Sequence, residues 1–206
     1  MSPIHKIGLL LYPNADLLDF TGPLEVFSHA LHNHNPDNPD RIFSTTTLAR
    51  AQSIPVGKDS LTVTADVVLS NTSEEAISQL LARLDFDILM VPGAPPAVVT
   101  GVIEEAEGVE KRVVRAFVGL DGGRGQGRGQ GGRARERILF SVCTGAVVLG
   151  AAGVLGGMRV TTHYGRWGGW MISVGIKKGG RWKWWRGRGS WMGGCYSMEG
   201  VMVVVR

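Results

Sequence analysis

Cys143 stands where an apolar run gives way to helix-forming residues. The segment reads ILFSVCTGAVVLGAAGVL over residues 138–155. Ile138 to Val142 is typical of a buried strand, and Ala146 to Leu155 is typical of a helix packed on a sheet. A side chain at such a corner projects over the carboxyl end of the sheet, toward the first N–H groups of the helix. These groups favour an anion, so the pattern predicts a nucleophilic thiolate. The alternative is an inert, buried cysteine.

Acidic residues follow the first predicted strand, Ile7 to Tyr12. Asp19 is expected in a loop above the sheet, on the edge where ligands bind in open α/β folds. Thr21-Gly22-Pro23 predicts the start of a helix through about His32, with Glu25 in its first turn. A carboxyl group beside a thiolate would keep its proton to a higher pH and could donate it. Asp19 could equally cap the helix or be a solvated loop carboxylate.

A Pro-Gly loop follows a second buried strand, Asp87 to Val91. Gly93 and Ala94 lie in this loop, where backbone N–H groups come within reach of a site on the same sheet edge. A plain turn is the alternative. Alanine at position 94 would be costly if the loop needed a positive φ there.

The remaining pattern predicts an α/β protein with a doubly wound, mostly parallel sheet. The predicted elements are a strand at Arg41–Leu48, a hairpin-like excursion over residues 54–65, a helix at Glu74–Leu84 and one long helix at Ala97–Val118.

Three stretches resemble the ThiJ/PfpI superfamily, within the class I glutamine amidotransferase-like fold. SVCTGAVVLGAAGVLGGMRVTTHY resembles its nucleophile elbow, YPNADLLDFTGPLEVF its first strand, acidic loop and first helix, and DILMVPGAPP its middle strand and oxyanion loop. The resemblance covers roughly residues 4–118 and 135–164, and it is nearest to the isonitrile hydratase branch and to sensor domains fused to AraC-type regulators. It implies a flavodoxin-like sheet whose last part is missing or disordered in this chain.

The resemblance implies a hydro-lyase reaction. Cys143 would attack the terminal carbon of an isonitrile, Asp19 or Glu25 would supply a proton, and water would release an N-substituted formamide. Thr144 would orient the intermediate, and it stands where peptidase-like members have histidine, which argues against a peptidase. The alternatives are a small-molecule sensing domain without turnover, or an inactive product of an aberrant gene model.

The resemblance also implies the binding groups of the site. Gly93 and Ala94 match the oxyanion loop, although the family usually has a second glycine at position 94. Gly145 would contribute an elbow amide. His163, in THY, matches a family histidine, with a structural hydrogen-bonding role as the alternative.

We expect no cofactor and no metal. His29, His32 and His34 cluster without further residues at ligand spacing. A small-molecule substrate and a homodimer are the partners that the resemblance implies. No apolar run approaches the roughly twenty residues of a membrane span. Two cysteines without a partner motif, Cys143 and Cys195, indicate a reducing compartment, and we expect a cytoplasmic protein.

The charge is divided unevenly. Residues 1–118 carry 8 Lys and Arg against 15 Asp and Glu, whereas residues 119–206 carry 14 against 3. The segment 119–137 has eight glycines and five arginines. An RGG-like tract can contact RNA, but this composition is more typical of a flexible insertion, so we do not expect a nucleic-acid partner.

The sequence therefore predicts one domain over residues 1–164, interrupted by an insertion at 119–135, and a tail at 165–206. The tail holds all six tryptophans and shows neither helical nor strand periodicity. A shifted reading frame or an unspliced intron in the gene model would explain it.

We expect amide hydrogen exchange to be fast over residues 119–135 and 165–206 and slow in the strands of the domain, because only the domain buries its backbone. Slow, cooperative protection across Trp167 to Trp191 would contradict this division.

Overall fold

The fold is seen in a computed structural model that describes residues 4–33, 35, 37–69, 72–122, 137–155 and 203–205. Eight strands are described: β1 His5–Leu10, β2 Phe43–Ala49, β3 Ser53–Val56, β4 Leu61–Thr64, β5 Val67–Val68, β6 Ile88–Val91, β7 Ile138–Ser141 and β8 Val203–Val205. Five helices accompany them: α1 Leu17–Ser28, α2 Glu74–Leu84, α3 Pro96–Glu104, α4 Val109–Gly122 and α5 Gly145–Ala151.

The main sheet has six strands in the order β5-β2-β1-β6-β7-β8. All of its pairs are parallel except β7 with β8. The predicted doubly wound, mostly parallel sheet is therefore confirmed. The chain first adds strands on one side of β1 and then crosses to β6 on the other side. The carboxyl ends of β1 and β6 consequently flank a topological switch point, where open α/β sheets bind ligands.

The central strands are apolar because both of their faces are covered. All four residues of β6 are buried, as are Ile7, Leu9 and Leu10 of β1. This burial explains the continuous apolar runs, since a strand covered on both faces loses the alternation of polar and apolar residues. The predicted excursion after β2 is the antiparallel pair β3 and β4, which turns through Gly57, Lys58 and Asp59 at positive φ.

Helix α1 begins earlier than the sequence predicted. It starts at Leu17, so Pro23 lies inside the helix and Asp19 lies in its first turn. Leu17, Phe20, Leu24 and Phe27 pack on the core at helical spacing, and this burial outweighs the backbone hydrogen bond that Pro23 cannot donate. The expectation of a loop position for Asp19 was therefore wrong by one helical turn.

The predicted long helix over residues 97–118 is two helices. The backbone of Glu105 leaves the helical region, and Gly108 turns back with its N–H donating to the Glu105 carbonyl at 3.1 Å. A Cβ at Gly108 would lie 3.2 Å from Nη2 of Arg50, so the break admits the arginine side chain. Helix α4 then continues to Gly122, and residues 119–122 belong to it rather than to the Gly/Arg-rich segment.

The last described strand was not predicted, and its pairing corrects the expectation of fast hydrogen exchange for these three residues of the tail. Val203–Val205 pairs antiparallel with β7, as the β-branched run near the end of the chain allows. The rest of the predicted tail, including Cys195, lies outside the described residues, as does His163. Within the described part of the chain, no helix is both long and apolar enough to cross a membrane.

Arg50 joins β2 to both helices at the break. Its Nε donates to Oε1 of Glu110 at 2.7 Å, its Nη2 pairs with Oε2 of the same carboxylate, and its Nη1 lies 2.6 Å from Oε2 of Glu105. The Glu110 side chain is 1% exposed, whereas that of Arg50 is 32% exposed. A carboxylate this deeply buried depends on its partner for its charge.

We expect Arg50→Ala to lower the free energy of unfolding by about 3 kcal/mol, because Glu110 is left buried without its cation. Arg115→Ala is the matched control, since Arg115 pairs with the exposed carboxylates of Glu74 and Glu107. Loss of such exposed pairs costs less than about 1 kcal/mol. Urea denaturation of both variants makes the comparison, and equal losses would contradict the structural importance of the buried pair.

Candidate active site

Cys143 occupies a strained turn between β7 and α5. Its φ is 54°, in the left-handed region that non-glycine residues rarely adopt. Val142 donates its N–H to the Val91 carbonyl at 3.2 Å, and Gly145 donates to the Val142 carbonyl at 2.9 Å. A Cβ at Gly145 would lie 2.3 Å from the Val91 oxygen. Only glycine therefore allows the helix to start this close to β6, which holds the thiol over the sheet edge.

Two carboxylates lie beside this thiol. One carboxylate oxygen each of Asp16 and Asp19 and the sulfur of Cys143 all lie within 4.8 Å of one another, and the three residues are half-buried. Asp16 is the N-cap of α1 and Asp19 lies in its first turn, so the start of α1 presents both acids at the switch point. Among the described residues, these three side chains also have ligand atoms close enough together to hold a cation. The sequence did not predict a metal site.

The loop after β6 ties these groups together. Gly93 donates its N–H to Oδ2 of Asp19 at 3.0 Å, and its carbonyl accepts from the Asp16 N–H at 2.9 Å. Ala94 donates its N–H to Oγ1 of Thr144 at 2.9 Å, and that hydroxyl donates to the Ala94 carbonyl at 2.8 Å. Both loop amides that were expected as oxyanion donors are therefore engaged within the protein, where they hold the acid and the elbow in place.

The residue types in this loop follow from the crowding. A Cβ at Gly93 would lie 2.5 Å from Oδ2 of Asp19 and 2.7 Å from Oγ1 of Thr144, so glycine is required there. Ala94 is buried and does not have a positive φ. The expectation that alanine would strain the loop was therefore wrong, because the tight contact falls on position 93.

Tyr12 anchors the loop after β6. Its side chain is fully buried, and its hydroxyl donates to the Pro92 carbonyl at 2.6 Å. Burial, followed by the charge of Asp19, raises the pKa of Tyr12 well above its ordinary value. The phenol therefore remains a neutral donor throughout the physiological range, and the loop keeps this hydrogen bond while the acids change protonation.

The surroundings oppose ionisation of the thiol. Burial and the negative charge of Asp19 raise the pKa of Cys143 from 9.0 to about 11, against hydrogen bonds from Thr144 that lower it. Asp16 raises it further. The sequence predicted a thiolate, whereas the structure favours the neutral thiol, because the sulfur is buried and two carboxylates lie beside it.

The structure separates the two competing acids. Asp19 lies beside Cys143, whereas the Glu25 side chain is 74% exposed and bonds to His29 at 3.0 Å. Asp16 was not among the predicted site residues. The available signal was its spacing, three residues before Asp19, which places both acids on one face once the helix begins at position 17.

The fold and this corner define a doubly wound α/β protein with a cysteine at a strand-to-helix elbow. The chain is 32% identical over 162 residues to the isonitrile hydratase of Pseudomonas putida. It is also 32% identical over 161 residues to an uncharacterized protein of Streptomyces lividans named for the cpoL 5′ region. These matches cover 77% and 78% of this chain, and 52% and 88% of the two relatives. The chain belongs to the ThiJ/PfpI superfamily.

One solved structure supports this fold. A Bacteroides thetaiotaomicron protein, given as a proposed protease I, superposes with a TM-score of 0.51 at 17% identity, over 78% of this chain and 75% of that one. A ThiJ/PfpI family protein from Pseudomonas syringae has a TM-score of 0.48 at 21% identity, over 78% of this chain and 51% of that one. No protein-family model matches the chain. The chain spans about half the length of the isonitrile hydratase that it matches.

We expect Asp19→Asn to lower the pKa of Cys143 from about 11 toward its ordinary value of 9.0, because the substitution removes the negative charge that disfavours the thiolate. The rate of iodoacetamide alkylation measured against pH reports this pKa. Because a lower pKa gives more thiolate at pH 9, the variant should be alkylated faster than the parent protein at that pH.

Asp37→Asn serves as the control, since Asp37 is exposed in a distant loop, and its profile should overlay that of the parent protein. An unchanged profile for Asp19→Asn would show that the carboxylate does not act on the sulfur.

Proposed function

We propose that the chain is an isonitrile hydratase-like hydro-lyase that converts a small isonitrile to an N-substituted formamide. The observation that carries this proposal is the Cys143 thiol at the elbow, with a carboxylate of Asp19 fixed beside it by the Gly93 N–H. The identity to the Pseudomonas putida isonitrile hydratase supports it. Since the chain matches only about half of that protein, its activity and substrate are part of the proposal.

The first half of the reaction suits a protonated thiol beside a carboxylate. Asp19 removes the proton from Cys143 as the sulfur attacks the terminal carbon of the isonitrile. The carbon lone pair then takes the proton back from Asp19. The product is a thioimidate, R–N=CH–S–Cys143, in which the S–C and C–H bonds are new. A thiol with a raised pKa becomes a strong nucleophile as its proton leaves, so the neighbouring carboxylate is essential.

The second half of the reaction consumes water. Water adds to the thioimidate carbon, one of its protons goes to the nitrogen, and the adduct collapses to the formamide with return of the thiol proton to sulfur. Thr144 contributes to both halves, because it hydrogen-bonds the sulfur and also clamps Ala94. Gly145, the remaining residue of the elbow, donates its N–H to the Val142 carbonyl, so its role is to fix the turn.

A sensing module without turnover is the second candidate. The observation that favours it is that the N–H groups of Gly93 and Ala94 are already bonded within the protein, beside a thiol whose pKa is raised by burial. Such a site could bind a small molecule and leave it unchanged.

Assembly, location and domain limits are also proposals. We propose a cytoplasmic homodimer built on helix α1, whose Leu18 and Val26 are 58% and 70% exposed. The proposed domain covers residues 1–164, with the insertion starting after Gly122. The dimer is tested by the molar mass of the purified chain, measured by light scattering.

We expect Cys143→Ala to abolish formamide formation from an alkyl isonitrile, because the described elbow offers no other nucleophile. Asp19→Asn should lower turnover by about 10²-fold or more, the usual cost of losing a positioned proton-transfer group. Formamide is measured by chromatography, with Asp37→Asn as the matched control.

A sensor gives a different result. It binds the isonitrile in calorimetry, forms no formamide over hours, and both substitutions alter only the affinity. The same assay on the chain extended by the matching last part of the Pseudomonas putida relative separates a missing activity from a missing segment.

A further inference from the structure

Asp16 is a carboxylate that the proposed reaction leaves without a task. It occupies the N-cap of α1, yet its side chain makes no capping hydrogen bond to the helix. An aspartate at this position ordinarily accepts from the second or third N–H of the helix. Here the carboxylate instead lies within 4.8 Å of both the Cys143 sulfur and an Asp19 oxygen, and it adds to the negative charge felt by the thiol.

The position of Asp16 is fixed by the same residue, Gly93, that fixes Asp19. The Gly93 carbonyl accepts from the Asp16 N–H at 2.9 Å, and the Gly93 N–H donates to Oδ2 of Asp19 at 3.0 Å. Gly93 therefore sets the two acids relative to each other and to the elbow through the two peptide groups on either side of its Cα. Two groups up to 4.8 Å apart are within the span of one bridging water molecule, since each hydrogen bond covers about 2.8 Å.

The chemistry needs proton transfer at two different atoms. In the first half, a proton moves from sulfur to carbon, which the carboxylate bonded to Gly93 can carry. In the second half, a water proton must reach the substrate nitrogen, on the far side of the carbon from sulfur. Asp19 is held toward the loop by its bond to Gly93. A second carboxylate near the same carbon removes the need for one group to serve both atoms.

We propose that Asp16 is a second catalytic carboxylate, the base that activates water to hydrolyse the thioimidate on Cys143. This inference rests on the proposed isonitrile hydration. In the step, the Asp16 carboxylate takes a proton from water as the water oxygen bonds to the thioimidate carbon, and it then passes that proton to the nitrogen. The C–S bond breaks in the next step, the hydroxyl proton returns to sulfur, and the formamide leaves.

The proposal predicts a trapped intermediate. With cyclohexyl isonitrile as the probe, Asp16→Asn should still form the thioimidate but should hydrolyse it about 10²-fold more slowly. Intact-protein mass spectrometry after rapid acid quenching should then show nearly one isonitrile mass added per chain, located on Cys143 by peptide mapping. Asp19→Asn should show little adduct, because its defect precedes the intermediate.

A second variant keeps the test independent of helix capping. Serine is as good an N-cap as aspartate, so Asp16→Ser preserves the helix start while removing the carboxylate. It should accumulate the same adduct as Asp16→Asn, and Asp37→Asn should behave as the parent protein. Millimolar formate should accelerate hydrolysis in Asp16→Ser, because a small carboxylate can replace the missing base.

The results that would contradict the role of Asp16 can be told apart from the result that would contradict the proposed function. Turnover of both Asp16 variants within about threefold of the parent protein would show that Asp16 is not the base. Slow turnover without any adduct would place its effect before the intermediate and would also overturn the proposal. Absence of formamide from the parent protein itself would instead refute the proposed function, and the role of Asp16 in hydrolysis would fall with it.

Discussion

The close approach of the Gly93 backbone to the elbow is the constraint on which the site depends. Its N–H holds Asp19 and its carbonyl holds Asp16, while a side chain at this position would collide with Asp19 and Thr144. The loop can come this near because Tyr12 anchors the preceding carbonyl and Gly145 opens the helix without a Cβ. Three segments that are far apart in sequence thus meet through hydrogen bonds to the backbone of the loop after β6.

The electrostatics of the site oppose the usual advantage of an elbow. A helix N-terminus favours a thiolate, but α5 has only seven residues and two carboxylates face the sulfur. Burial of the sulfur, together with the charge of Asp19, therefore raises the pKa of the thiol rather than lowering it. Such a group reacts when a neighbouring base accepts its proton at the moment of attack, so the site is suited to chemistry that moves a proton and forms a bond together.

Much of the fold was predictable, because strand and helix patterns depend on local apolar periodicity. Helix α2 spans the predicted residues Glu74–Leu84, and the buried strands fall within two residues of their predicted limits. The start of α1 was missed because Pro23 is favourable at a first helical position, and only tertiary burial of Leu17 and Phe20 shows that the helix begins earlier. The break between α3 and α4 depends on Arg50, which is distant in sequence.

Most residues of the site were predictable from the sequence, but the direction of the pKa shift of its thiol was not. The residues Cys143, Thr144, Gly93 and Asp19 come together as expected, since the ends of parallel strands meet at one edge. Asp16 was missed because its place depends on where α1 begins. The direction of the Cys143 pKa shift was missed because it depends on burial and on the distance to two carboxylates, which the sequence does not contain.

The positive φ of Cys143 has a consequence for the balance between stability and activity. A non-glycine residue in the left-handed region costs about 1 to 2 kcal/mol relative to glycine, so glycine at position 143 would suit the fold better than the cysteine does. Selection for stability alone would thus favour loss of the thiol. The proposed reaction at the sulfur would be a reason to keep a cysteine in this conformation despite its cost in stability.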